Sequence, residues 1–276
     1  MPEKLRIGEI RYANCTPIYT MLKSGADTSG YEFVAGDPAT LNRMLASGDV
    51  DVSSSSSIEY ARRQDEYLAI PGMSIASNGP VGSILLFSKV RVEKLSGKRI
   101  ALTSASATST VLLKILLRKH YVVEAEFSTH APDLKIMLES SDAALIIGDE
   151  ALKEHKAAKG GGLYIYDLGD VWTSYSGLPF VFALWMVRKD SAARAPELVA
   201  KLRDDLVEAR MKAALSYRVI ARNALEREWM GEDGLVDYWE AMSYGLDQDQ
   251  VAGLMRFFAL AHELGEAPKV DRLEFL

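Results

Sequence analysis

Five consecutive serines occupy residues 53–57, and residues 103–109, Thr-Ser-Ala-Ser-Ala-Thr-Ser, hold five more hydroxyls. Hydroxyls at a strand end or helix start, beside unpaired backbone N–H groups, suit a bound carboxylate. From the first cluster, Ser55 and Ser56 are expected to contact a ligand. Ser57 is expected to cap the helix opening at Ile58-Glu59-Tyr60. In the second cluster capping needs one residue rather than five, so Ser106, Thr108 and Ser109 are candidate anion ligands. The loop Arg11-Tyr12-Ala13-Asn14-Cys15-Thr16-Pro17 adds Asn14, which both donates and accepts, and Thr16, with Pro17 suited to a first helical turn. Arg11 is either a bidentate carboxylate partner or a surface arginine.

Other reactive residue types read more plainly. Cys15 is the only cysteine, which excludes an intramolecular disulfide and a cysteine-cluster zinc site; with no histidine nearby in sequence it reads as a buried thiol. His120, His130, His155 and His262 have no metal-ligand spacing, so no metal is expected. Gly160-Gly161-Gly162 lacks the lysine of a phosphate loop and reads as a turn.

The elements that carry these residues alternate between strand and helix. Strands are expected over residues 5–10, 31–34, 50–53, 81–88, 99–103, 143–147 and 179–187. Helices are expected from Pro17, over 38–47, 108–121 and 132–139, and from Pro196 to near Gly265. Such alternation implies a mostly parallel sheet with covered faces. Arg6-Ile7 matches Arg99-Ile100, and Leu41, Met44, Leu45, Ser47 and Asp49 match Leu134, Met137, Leu138, Ser140 and Asp142, all at an offset of 93 residues. A duplication would give each half two loops at strand C-terminal ends, where open α/β sheets bind ligands. These are 11–16 and 53–57, then 104–109 and Gly148-Asp149-Glu150. Residues 81–88 and 179–187 read as crossovers, so the expected fold is α/β with two lobes around a cleft. Lobe one spans residues 1–88 and 186–276, and lobe two 89–185.

Hydrophobic residues make up 48% and charged residues 25% of 276, an ordinary globular balance, and the net charge is −6. No basic stripe marks a nucleic-acid partner. No apolar run spans a bilayer, and none stands ahead of the first strand as a secretion signal, so a cytoplasmic protein is expected. An acidic protein that holds an anion must do so with local donors.

Several segments together resemble the chorismate dehydratase family of the futalosine route to menaquinone. They are Arg6-Ile7-Gly8 with Tyr12, Asn14 and Pro17; Asp51-Val52-Ser53 with Ser56-Ser57-Ile58-Glu59-Tyr60-Ala61; and Gly79-Pro80-Val81 with Ser83, Leu85-Leu86-Phe87-Ser88. Ala107-Thr108-Ser109, Ile147-Gly148-Asp149, Ala151-Leu152, Leu178-Pro179-Phe180-Val181-Phe182-Ala183 and Ser243-Tyr244-Gly245-Leu246 complete the set. The resemblance implies a type II periplasmic-binding-protein fold kept in the cytoplasm. It also implies cofactor-free conversion of chorismate, a small dicarboxylate, to 3-[(1-carboxyvinyl)oxy]benzoate and water. Ser54 stands where the family often has proline, and Arg11 where a small or polar residue is common. On this reading Asn14 orients the reacting groups while the enolpyruvyl carboxylate of the substrate is the base; Asp149 and Glu59 are the protein alternatives. A non-catalytic anion-binding protein and the related enzyme of cyclic dehypoxanthine futalosine are the competing functions.

Overall fold

The computed structural model describes residues 4–158 and 161–276, so part of the expected glycine turn, Gly160, lies outside the described residues. The chain begins β1 (Leu5–Ile10), α1 (Thr16–Gly25), β2 (Tyr31–Gly36), α2 (Pro38–Ser47), β3 (Val52–Ser56), α3 (Ser57–Arg62) and β4 (Tyr67–Ser77). It continues through β5 (Ile84–Ser88), β6 (Arg99–Thr103), α4 (Ala107–Lys119), β7 (Glu126–His130), α5 (Leu134–Ser140), β8 (Ala143–Ile147), α6 (Gly148–Ala157), β9 (Tyr164–Asp167) and α7 (Leu168–Ser176). The last part holds β10 (Phe180–Arg188), α8 (Lys189–Arg194), α9 (Pro196–Ala214), α10 (Tyr217–Asn223), α11 (Arg227–Met230), α12 (Glu232–Ala241), β11 (Met242–Ser243) and α13 (Gln248–Glu263).

Local chemistry sets the boundaries. Asp37 accepts from the Thr40 N–H to open α2, with Pro38 in the first turn, and Gly48 ends it in the left-handed conformation. Asp247 and Gln250 form a reciprocal capping box on α13. Gly253 of α13 is dictated by packing, because a Cβ there would lie 2.1 Å from the Pro179 carbonyl oxygen.

Two sheets result, ordered β11-β4-β10-β3-β1-β2 and β7-β6-β8-β5-β9. The exchange points differ from those read in the sequence. Residues 84–88 pair with β8 and β9 inside the second sheet, and residues 180–188 pair with β3 and β4 inside the first. The chain therefore changes sheet at residues 78–83 and 177–179; the expected boundary at 88 falls after β5, which belongs to the second sheet, and that at 186 falls inside β10. Apolar runs that look like connectors are central strands buried on both faces, which need no alternation. One apolar core runs through both lobes, while the outer face of the second sheet has its own cluster around Leu85, Phe87, Met137 and Ile146.

The halves share a topology: β3-β1-β2 and β8-β6-β7 are parallel triplets, each followed by an antiparallel strand. The fixed offset of 93 does not survive in space. The Asp51 N–H donates to the Arg6 carbonyl at 2.8 Å, and the Asp142 N–H donates to the Arg99 carbonyl at 2.8 Å. Arg6 thus corresponds to Arg99, but Asp51, not Asp49, corresponds to Asp142; the helix-to-strand link is two residues shorter in the second half.

Candidate functional site

Between the sheets lies a cleft walled by Ile10, Ile75, Ile84, Ile147 and Phe182. Its polar lining comes from both lobes. Lobe one supplies Tyr12, Asn14, Cys15, Ser54 and Ser56, and Ser83 enters from the crossover. Lobe two supplies Ser106, Ser109 and Gly148.

The serine run is not a loop. Its first four residues belong to β3, and all five serines are buried. Strand alternation then selects the parity: Ser54 and Ser56 line the cleft while Ser55 points to the opposite face, so Ser55 is corrected to Ser54. The strand continues three residues beyond the expected end at Ser53, which is what brings the alternation into play. Ser57 opens α3, and its hydroxyl donates to the Val181 carbonyl at 2.8 Å.

In the second cluster Ser106 is the cap of α4, accepting from the Ser109 N–H at 3.2 Å and donating to Ser109 Oγ at 2.9 Å. Both line the cleft at the positive end of a thirteen-residue helix. Thr108 does not. It is buried against lobe one, accepting from the Ile58 N–H at 3.2 Å beside the Ser57 hydroxyl at 3.3 Å. A helical position two residues past the cap turns away from the face that the cap presents.

Four more candidates lie outside the cleft. Thr16 donates to Glu226 at 2.9 Å in a separate groove, which Arg11 also lines from an exposed position. Asp149 borders that groove as well and accepts from the Ala13 N–H at 2.9 Å. Burial in the first place, then the charge of Glu226, raises its pKa, although the Ala13 N–H acts the other way. Glu59 pairs with Arg62 at 2.9 Å, away from the cleft.

Asn14 Oδ1 and Ser54 Oγ are both buried without a hydrogen-bond partner, and both belong to the cleft lining. Sequence reasoning missed Tyr12, whose ring packs over Gly148 from the other lobe; a Cβ on Gly148 would lie 2.9 Å from it. Burial, followed by the charge of Asp149, pushes the Tyr12 hydroxyl up to about 12. Burial, helped by the charges of Asp149 and Glu9 and opposed by Ser54, pushes the Cys15 thiol up to about 12. Both stay protonated at neutral pH, so the lining presents neutral donors and acceptors rather than a carboxylate or imidazole.

The C-terminal elements hold this lining in place. Tyr238 of α12 donates to Ser83 Oγ at 2.8 Å, Trp239 Nε1 to the Ala13 carbonyl at 2.7 Å, and Tyr244 to the Asn14 carbonyl at 2.8 Å. Asp167 accepts from the Val81 and Gly82 N–H groups and pins the crossover that carries Ser83. No helix of the described residues is long and apolar enough to cross a membrane.

The fold is that of binding proteins. The periplasmic aliphatic sulphonate-binding protein of Escherichia coli superposes with a TM-score of 0.65 at 16% identity, over 98% of this chain and 95% of that one. A protein from Archaeoglobus fulgidus superposes with a TM-score of 0.69 at 21% identity, over 95% and 98%. A Thermus thermophilus protein named chorismate dehydratase is 33% identical, over 91% of this chain and 93% of its own. A sequence model of the family described as menaquinone biosynthesis matches residues 5–263. With that match covering nearly the whole chain, and a relative of this identity beside it, the chain belongs to the menaquinone-biosynthesis family.

Proposed function

We propose that the protein is a chorismate dehydratase, a hydro-lyase that converts chorismate to 3-[(1-carboxyvinyl)oxy]benzoate and water. What supports this most is the cleft lining: neutral hydroxyls and one amide on both lobes, set among apolar side chains. The ring of chorismate has apolar walls to pack against. Its two carboxylates meet Ser54, Ser56, Ser83, Ser106 and Ser109, and no buried cation has to be desolvated.

The elimination is redox-neutral. The C3–H bond breaks, its electron pair forms the C3–C4 double bond, and the C4 hydroxyl leaves with the proton as water. Aromatisation supplies the driving force, so positioning is the main task of the protein. Asn14 Oδ1 is a buried acceptor without a partner, and the C4 hydroxyl is the only donor the substrate offers; Asn14 therefore holds the leaving group. With Tyr12 and Cys15 locked in their protonated forms, the enolpyruvyl carboxylate of the substrate takes the C3 proton. A cytoplasmic setting fits a biosynthetic step. The test is purified protein plus chorismate, followed by diene absorbance and product mass. Loss of the diene with loss of one water supports the reading, whereas tight binding without turnover leaves a binding protein.

A further inference from the structure

Asn14 lies in a loop of lobe one, yet the loop is gripped from lobe two. The Asp149 carboxylate, in the first turn of α6, accepts from the Ala13 N–H at 2.9 Å and so joins the two lobes. The other bonds on the loop come from its own lobe: Trp239 on the Ala13 carbonyl and Tyr244 on the Asn14 carbonyl. The Asp149 contact is therefore the one that exists only when the lobes are together. Beside it Gly148, at φ +66°, lets the Tyr12 ring close over the backbone.

We propose that Asp149 is a positioning residue that couples lobe closure to the orientation of Asn14. Closure brings Asp149 onto the Ala13 N–H and fixes the Tyr12–Ala13 peptide; with the Ala13 carbonyl held by Trp239, both peptides that flank Ala13 are then set, and Asn14 Oδ1 is aimed into the cleft. Asp149 does not line the cleft, so it acts through the loop and not on the substrate. This coupling rests on the dehydratase reading for its kinetic consequences, but its structural part stands without it.

The experiment compares wild type with Asp149→Ala, Asp149→Asn, Asn14→Ala and the double variant Asp149→Ala/Asn14→Ala. Asparagine keeps an oxygen that accepts from the Ala13 N–H, so Asp149→Asn retains kcat within a few-fold. Asp149→Ala lowers kcat on the order of 10–100-fold, the scale of a misplaced catalytic group, with KM changed far less. The double variant is no slower than Asn14→Ala alone, because the two residues act as one unit. Hydrogen exchange of the peptide covering residues 11–16 is slow in wild type and Asp149→Asn and fast in Asp149→Ala. An Asp149→Asn variant as inactive as Asp149→Ala would show that the charge is required, and additive losses in the double variant would show an independent role; either overturns the coupling. If Asp149→Ala does not fold, Asp149→Asn decides alone. Wild type inert toward chorismate but with the same exchange pattern sinks the dehydratase reading and leaves the clamp; unchanged exchange in Asp149→Ala sinks the clamp.

Discussion

Tyr238 donates its hydroxyl hydrogen to Ser83 Oγ at 2.8 Å, and both residues are buried. Burial raises the tyrosine pKa, so it remains a donor throughout the neutral range. With one lone pair occupied, the Ser83 hydroxyl has its own proton to give to the cleft. Tyr238→Phe removes this polarisation. We expect a stability loss of about 1 kcal/mol for the broken bond and a lower kcat, read by urea unfolding and steady-state kinetics. An unchanged kcat means that Ser83 needs no such support.

Strand parity separates two neighbouring serines. Ser54→Ala removes a hydroxyl from the cleft and should weaken chorismate binding by about 1–2 kcal/mol, roughly 5–30-fold in KM. Ser55→Ala removes a buried hydroxyl that has no partner and faces away. It should leave kinetics unchanged and stabilise the fold by about 1 kcal/mol, since an unsatisfied buried group is lost. Reversed phenotypes would place β3 in the other register.

Gly148 combines φ +66° with the Tyr12 ring against its backbone. Gly148→Ala should cost about 1–2 kcal/mol from backbone strain alone and displace Tyr12 from the cleft. The denaturation midpoint and the affinity for chorismate should fall together; a fall in stability with intact affinity would exclude Tyr12 from binding.

Asp51 is fully buried and accepts from Arg6 at 3.0 Å, Ser191 at 2.7 Å and Arg194 at 2.8 Å. Burial opposes its ionisation, yet these bonds win and hold the carboxyl below the usual range. The folded pKa is depressed, so the ionised form stabilises the fold at neutral pH, and that contribution is lost as pH falls through the folded value. Asp51→Asn should cost about 2 kcal/mol at pH 7, moderated because both arginines are partly exposed. The gap to wild type should narrow below about pH 4, which melting curves across pH would show. A gap independent of pH would mean that shape, not charge, is what Asp51 supplies.

The alternation of strands and helices, the cleft and the loops that line it were legible because local periodicity carries them. Ser56 and Ser106 are helix caps, Gly148 opens α6 and Asn14 lies in the loop between β1 and α1, places where residue type and position speak together. Ser54 and Ser55 cannot be told apart from sequence because five identical side chains hide the face each belongs to. Thr108, Thr16 and Asp149 are polar residues of the expected type whose hydrogen bonds go to other parts of the protein, to Ile58, Glu226 and Ala13. Tyr238, Trp239 and Tyr244 reach the site from the far end of the chain, 155 to 230 positions away from the groups they hold; no local pattern reports such contacts.

The sheet order also fixes a sequence of events during synthesis. All of β5 to β9 lies between residues 84 and 167, so the second sheet can assemble while the rest of the chain is still being made. The strand of serines leaves the ribosome early but receives its antiparallel neighbour, β10, only after that sheet is complete. Until then one edge of β3 is open. A strand whose exposed side chains are small hydroxyls is a poor template for another nascent chain, whereas a valine-rich strand would invite pairing. The residues that line the cleft thus give the unfinished first lobe an edge with little apolar surface.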